Sequence, residues 1–285
     1  MTTVDTTISL SRRQEVFALL FRSDTFCTGM AIVLFWMTCA IFGYQFVPYD
    51  PLASDILNAL APPSPEHWFG TDQLGRDIFS RTIVGSRDIL TIAPLATLLA
   101  AVVGTALGLL TGYFRGIVDD VISRLFEAIM AVPSIIVALM AIVALGTSQM
   151  TVIIVIAFSS APYVARSVRS SVLLERELDY VAAAKLRREN AAYIMFVEIL
   201  PHVLPQVIVE FTVRLGYAIF AFATLSFLGF GLQPPSPDWG LSVSTNYGVM
   251  SGGYWWPVLF DILSIASLVV AVHLVADGIH GSLDA

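Results

Sequence analysis

Six stretches of this chain are long and apolar, and nothing else restricts its fold so severely. Residues 25–47 carry no charge over 23 positions, and a helix needs about 20 to cross the hydrocarbon core of a bilayer. Further runs cover residues 89–112, 125–145, 150–164, 203–230 and 256–276. Backbone polar groups in lipid must be satisfied internally, so only helices and closed barrels cross a membrane. Runs this long, without alternation, specify helices. The expected fold is an all-α integral membrane protein with six transmembrane helices. Charged residues make up only 13% of the chain, where a soluble domain has about 25%. The 15 basic residues form no long run, which argues against nucleic-acid binding.

The spans divide the chain. Residues 1–24 hold Arg12, Arg13 and Arg22 among apolar positions such as Leu10, Val16 and Leu19, a pattern suited to a helix lying on the membrane surface. Residues 25–47 exceed the roughly 7–15 residues of a signal-peptide core, so they read as a retained first span. Cys27 and Cys39 both lie in this run and read as small apolar side chains rather than a disulfide. Residues 48–88 form a proline-rich hydrophilic loop. Residues 89–278 form the core, with a long charged segment at 166–201, and residues 279–285 form a tail.

Basic residues set the orientation, because cytoplasmic loops are enriched in Lys and Arg. With six spans both termini share a side. That side also carries Arg115, Arg124, Arg166, Arg169, Arg176, Lys185, Arg187 and Arg188; the other carries Arg76, Arg81 and Arg87. Both termini and residues 166–201 are therefore expected in the cytoplasm. The opposite loop after the fifth span contains Trp239, Tyr247, Tyr254, Trp255 and Trp256, as expected where aromatic rings sit at a membrane interface.

Catalytic chemistry is missing from the pattern. A phosphate cradle needs a glycine-rich loop ending in Gly-Lys-Ser/Thr, and the single lysine, Lys185, follows Ala182, Ala183 and Ala184. The four histidines are scattered without the spacing of a metal site, so no catalytic residue and no metal ligand is assigned. If ATP is used, another chain must bind it. Two features suggest packing and transport instead. Gly104, Gly108 and Gly112 fall four apart, on one face of a helix that another helix can approach closely. Glu210 and Arg214 are spaced to pair inside the fifth run. Charges within a membrane usually face a cavity or a partner, so the pair either lines a translocation path or braces an interface, or it snorkels to the cytoplasmic surface. Glu127 in the third run is a further candidate.

Residues 166–205 read RSVRSSVLLERELDYVAAAKLRRENAAYIMFVEILPHVLP. The composition favours helix, and the alanines offer a small-residue surface that fits a groove on another protein; a solvated connector is the alternative. This segment resembles the EAA loop of ABC-importer permeases, in particular the C-type subunits of the dipeptide/oligopeptide/nickel family, whose loop resembles YVEAARALGAS…HVLP. Tyr180, Val181, Ala183, Ala184, His202, Val203, Leu204 and Pro205 match. Ala182 replaces the family glutamate and Arg188 the family glycine; glycine there permits the left-handed turn after the helix, and with it lost, Asn190, the next best residue for such a turn, is expected to take it over nearby. Residues 67–87 and 225–240 resemble two further stretches of the family, in the right order.

The resemblance implies the type-1 (MetI-like) permease fold in a bacterial cytoplasmic membrane. It implies a second, B-type permease, two ATPase subunits that hold ATP and Mg, and an extracytoplasmic substrate-binding protein. It implies a coupling segment over Asp179, Tyr180, Val181, Ala182, Ala183, Ala184, Lys185 and Arg188. Substrates in this family include peptides, nickel, opines, glutathione and oligosaccharides. An ion-gradient-driven secondary transporter is the alternative, kept open by Glu127 and Glu210; a membrane-embedded enzyme would need a catalytic set that the residues do not supply.

Overall fold

A computed structural model describes residues 20 and 22–283; most of the surface helix expected within residues 1–24 lies outside them. Among the described residues all regular elements are helical. The long ones are α1 (Asp24–Phe46), α2 (Ile78–Phe114), α5 (Gln149–Glu175), α7 (Ala191–Phe227) and α9 (Trp256–Leu283). Five helices are long and apolar enough to cross a membrane, or six if the bent pair α3 (Gly116–Ala131) and α4 (Ser134–Leu145) counts as one crossing.

Helix starts and stops have local causes. α2 begins at Ile78 rather than 89, because Asp77 caps it by accepting from the Ser80 backbone N–H at 2.8 Å. Its first turns carry Arg81, Arg87 and Asp88, whose charge hid this start from a reading by hydropathy. The third crossing is not straight. Pro133 forces Val132 into an extended conformation, and α3 and α4 meet at 93°. α7 contains a π-helical segment, Ile194–Ile199, immediately before Pro201 and Pro205, which supply no backbone donors. α6 (Asp179–Leu186) and α8 (Trp239–Asn246) are short helices in the segments that connect α5 to α7 and α7 to α9.

α2 and α5 are the tightest pair. Gly104, Gly108 and Gly112 of α2 lie against Val164, Val168 and Val172 of α5. A Cβ on Gly108 would sit 2.7 Å from the Ala165 carbonyl oxygen and 2.8 Å from the Val168 Cβ. Two apolar clusters follow from this packing. One gathers Trp36, Ile92, Ala96, Ile142, Phe222 and Trp239. The other gathers Leu109, Val164, Val172, Ile194 and Ile199 and holds Val181 and Ala184 of α6. Trp239 therefore departs from the interfacial position expected of it. It is buried, stacked edge-on against Trp36 at 4.8 Å, and donates to the Thr82 carbonyl at 2.8 Å. α1 instead leaves Leu34, Phe35, Ile41 and Phe42 exposed, as a lipid-facing helix does.

Candidate functional site

α6 stands at one end of the bundle, between α5 and the π segment of α7. Asp179 in its first turn and Lys185 in its last suit the helix dipole. The helix has two unlike faces. Val181 and Ala184 are 0% exposed, while Asp179, Ala182, Ala183, Lys185 and Leu186 point outward, Leu186 being 85% exposed. Tyr180 fixes the orientation. Its ring stacks on His202 at 4.6 Å, and its hydroxyl donates to Glu175 Oε2 at 2.7 Å. Burial, and then the bond to Glu175, push the Tyr180 hydroxyl well above its ordinary pKa. Lys185 leans over the Tyr113 ring at 5.9 Å, and Arg176 donates to the Tyr113 carbonyl at 2.6 Å, closing the end of α2.

The turn after α6 is made by Arg188 itself, with φ of 60°. The Glu189 N–H donates to the Ala184 carbonyl and the Arg188 N–H to the Lys185 carbonyl, at 3.2 and 3.0 Å, the pair of bonds of a Schellman ending. Asn190 does not take the left-handed turn. Its φ is −72°, and its side chain caps the start of α7 by accepting from the Tyr193 N–H.

A second constellation lies within the bundle. Arg214 Nε donates to Glu210 Oε2 at 3.1 Å, and the guanidinium lies 4.8 Å from the Tyr163 ring and 5.4 Å from the Tyr217 ring. Arg214, Tyr163 and Tyr217 line a cavity of about 560 Å³ between α4, α5 and α7, whose lining also includes Ser159, Ser160 and Thr224. Glu127 is not part of it. It stands exposed on α3, and no described residue pairs with it.

At the end of the bundle opposite α6, residues 67–87 and 236–261 meet in a buried polar cluster that sequence reasoning did not assemble. Arg76 pairs with Asp72 at 2.7 Å. Arg81 donates to the Pro51 and Ser236 carbonyls, both at 2.9 Å. Thr82 donates to Asp261 at 2.7 Å, and Asp238 caps α8 by accepting from the Leu241 N–H at 2.7 Å. Burial pushes the Asp238 carboxyl up to about 7. Two of the stretches quoted for the family resemblance contribute to this cluster. Their separation in sequence concealed that they touch.

Residues 104–284 match the family described as "Binding-protein-dependent transport system inner membrane component", and residues 11–63 match the "N-terminal TM domain of oligopeptide transport permease C". The chain is 36% identical over 276 residues to the dipeptide transport system permease protein DppC of Alkalihalophilus pseudofirmus, covering 97% of this chain and 90% of that one. It is 34% identical to the probable D,D-dipeptide transport system permease protein DdpC of Escherichia coli (90% and 86% covered). It is 36% identical to the glutathione transport system permease protein GsiD of Pectobacterium atrosepticum (95% and 90% covered).

Proposed function

Because the chain belongs to the family of binding-protein-dependent transport system inner membrane components and is a DppC/OppC-like permease, we propose that it forms half of an ATP-driven import path for peptides or a related small solute. A second, B-type permease completes the path, two ATPase subunits hold ATP and Mg, and an extracytoplasmic binding protein delivers the substrate. The names of the relatives, which transport dipeptides, D,D-dipeptides and glutathione, support this substrate range.

The observation that carries the coupling is the division of α6. Its inner face is locked into the apolar cluster through Val181 and Ala184, and its outer face presents Ala182, Ala183 and Leu186 without covering. Small side chains there let a receiving groove approach closely, and Leu186 supplies an apolar contact that otherwise stands in water. Asp179, Lys185 and Arg188 frame this face. A movement of the ATPases on binding ATP passes through α6 to α5 and α7, since Tyr180 ties it to both. Such a movement shifts the equilibrium between inward- and outward-open states only as far as ATP binds those states differently. The excess of arginine around α6 supports a cytoplasmic location for it and for both termini. The cavity beside Arg214 and Glu210 is then this chain's share of the path.

A photoreactive residue at Ala183, in the assembled complex, is expected to crosslink to an ATPase subunit. The same residue at Leu57, which is 97% exposed at the opposite end, is expected to reach the external binding protein. Crosslinks to the ATPase from Leu57 and not from Ala183 would reverse the orientation and remove the coupling role.

A further inference from the structure

Among the described residues, Arg214 is the only charged one that lines the cavity between α4, α5 and α7. Its partner Glu210 does not line that cavity. Nε is occupied by Glu210, which is the only hydrogen bond Arg214 makes among the described residues. The remaining edge of the guanidinium is free to donate. The rings of Tyr163 and Tyr217, at 4.8 and 5.4 Å, lie within cation–π range and hold the group in place. An arginine inside a membrane is costly unless it meets water or a partner, and two aromatic contacts spent on orienting it go beyond what a buried ion pair alone requires.

A planar fork of N–H donors matches a carboxylate in geometry. One guanidinium, already shared with one glutamate, suits a single negative charge rather than a phosphate dianion. Hydroxyls of Ser159, Ser160 and Thr224 elsewhere in the lining can solvate the rest of a polar solute. The geometry points to Arg214 as a specificity-determining residue that draws in and orients a carboxylate of the passing solute. This rests on reading the cavity as part of the path.

The test uses the full complex in membrane vesicles, with Cys27→Ala and Cys39→Ala to remove this chain's own thiols, Ser160→Cys to report from the cavity lining, and labelling read on this chain alone. The probes are anionic sulfonatoethyl methanethiosulfonate and cationic trimethylammonioethyl methanethiosulfonate. Each rate is normalised to the reagent's rate on a free thiol. Any effect of Arg214 on the ionisation of the reporter thiol acts on both reagents and cancels in the ratio. The anionic reagent is expected to react about tenfold faster than the cationic one, the gain a cleft of one charge sign gives to its counter-ion. Arg214→Lys keeps this preference, Arg214→Gln abolishes it, and Glu210→Gln raises it without touching the arginine. A ratio that stays the same in both Arg214→Gln and Glu210→Gln overturns the assignment while leaving the path intact. Failure of both reagents to reach the reporter in any variant shows a cavity closed to water; that outcome sinks the path reading and the inference together.

Discussion

Arg188 holds φ of 60° in a position where a side chain with a Cβ costs about 1–2 kcal/mol relative to its ordinary conformations. The Schellman bonds from Arg188 and Glu189 and the ion pair of Arg187 with Glu198 at 2.7 Å over-determine the turn and hold the strain in place. Arg188→Gly removes it. Hydrogen exchange of the α6 amides is expected to slow by about fivefold, the equivalent of about 1 kcal/mol in local opening. Exchange that is unchanged or faster would show that the turn is not strained. Asp238 offers a second single-residue handle. Its carboxyl is raised to about 7 when folded, against an ordinary value of about 3.9. Between these values the folded chain binds a proton that the unfolded chain has released, so the contribution of Asp238 to stability is full below about pH 4 and is lost as pH rises through about 7. Asp238→Asn keeps an acceptor for the Leu241 N–H and is expected to flatten that part of the dependence of unfolding temperature on pH. A slope that persists in the variant would assign it to other groups.

Between helices, the contact of α2 with α5 depends on backbone approach. Gly108→Val places methyl groups where the Ala165 carbonyl and the Val168 side chain already stand, and overpacking of this kind costs about 1–3 kcal/mol. The variant is expected to unfold at a correspondingly lower temperature in detergent, and an unchanged midpoint would mean that the two helices part without penalty. The glycine spacing was legible in the sequence because a period of four is a property of one helix. The partner face of Val164, Val168 and Val172 was not, because valine is unremarkable in any span. The same reasoning separates the other elements. α6 was visible through its composition and its likeness to a known loop. α8 was hidden, since its Trp239 looks in sequence like any interfacial aromatic and only the stack on Trp36 shows its burial. The break at Pro133 lay within a run whose hydropathy continued through it, and hydropathy does not register direction.

For the molecule as a whole, the two ends of the bundle have different construction. One end is a closed polar cluster in which Arg81, Asp238 and Asp261 are buried with residues from distant parts of the chain. The other carries α6, which turns small and apolar side chains outward. Between them lies a cavity with one cation on its wall. Six apolar runs were enough to read the class of the fold. The pairing of Glu210 with Arg214 was legible from spacing, whereas the position of Arg214 on a cavity was not, because Tyr163 comes from another helix. On the proposed function, the end that carries α6 takes up the motion of a separate subunit and the cavity contributes to the path. The most direct test of that account is uptake of a dipeptide into vesicles containing the full complex, with and without Ala183→Glu. Ala183 is exposed, so the variant is expected to insert and fold while its charge obstructs docking. Uptake in the unaltered complex should require ATP, persist when ion gradients are collapsed, and fall at least tenfold, by about 1.4 kcal/mol or more of coupling, in the variant. Uptake that follows the ion gradient and continues in Ala183→Glu would contradict the account.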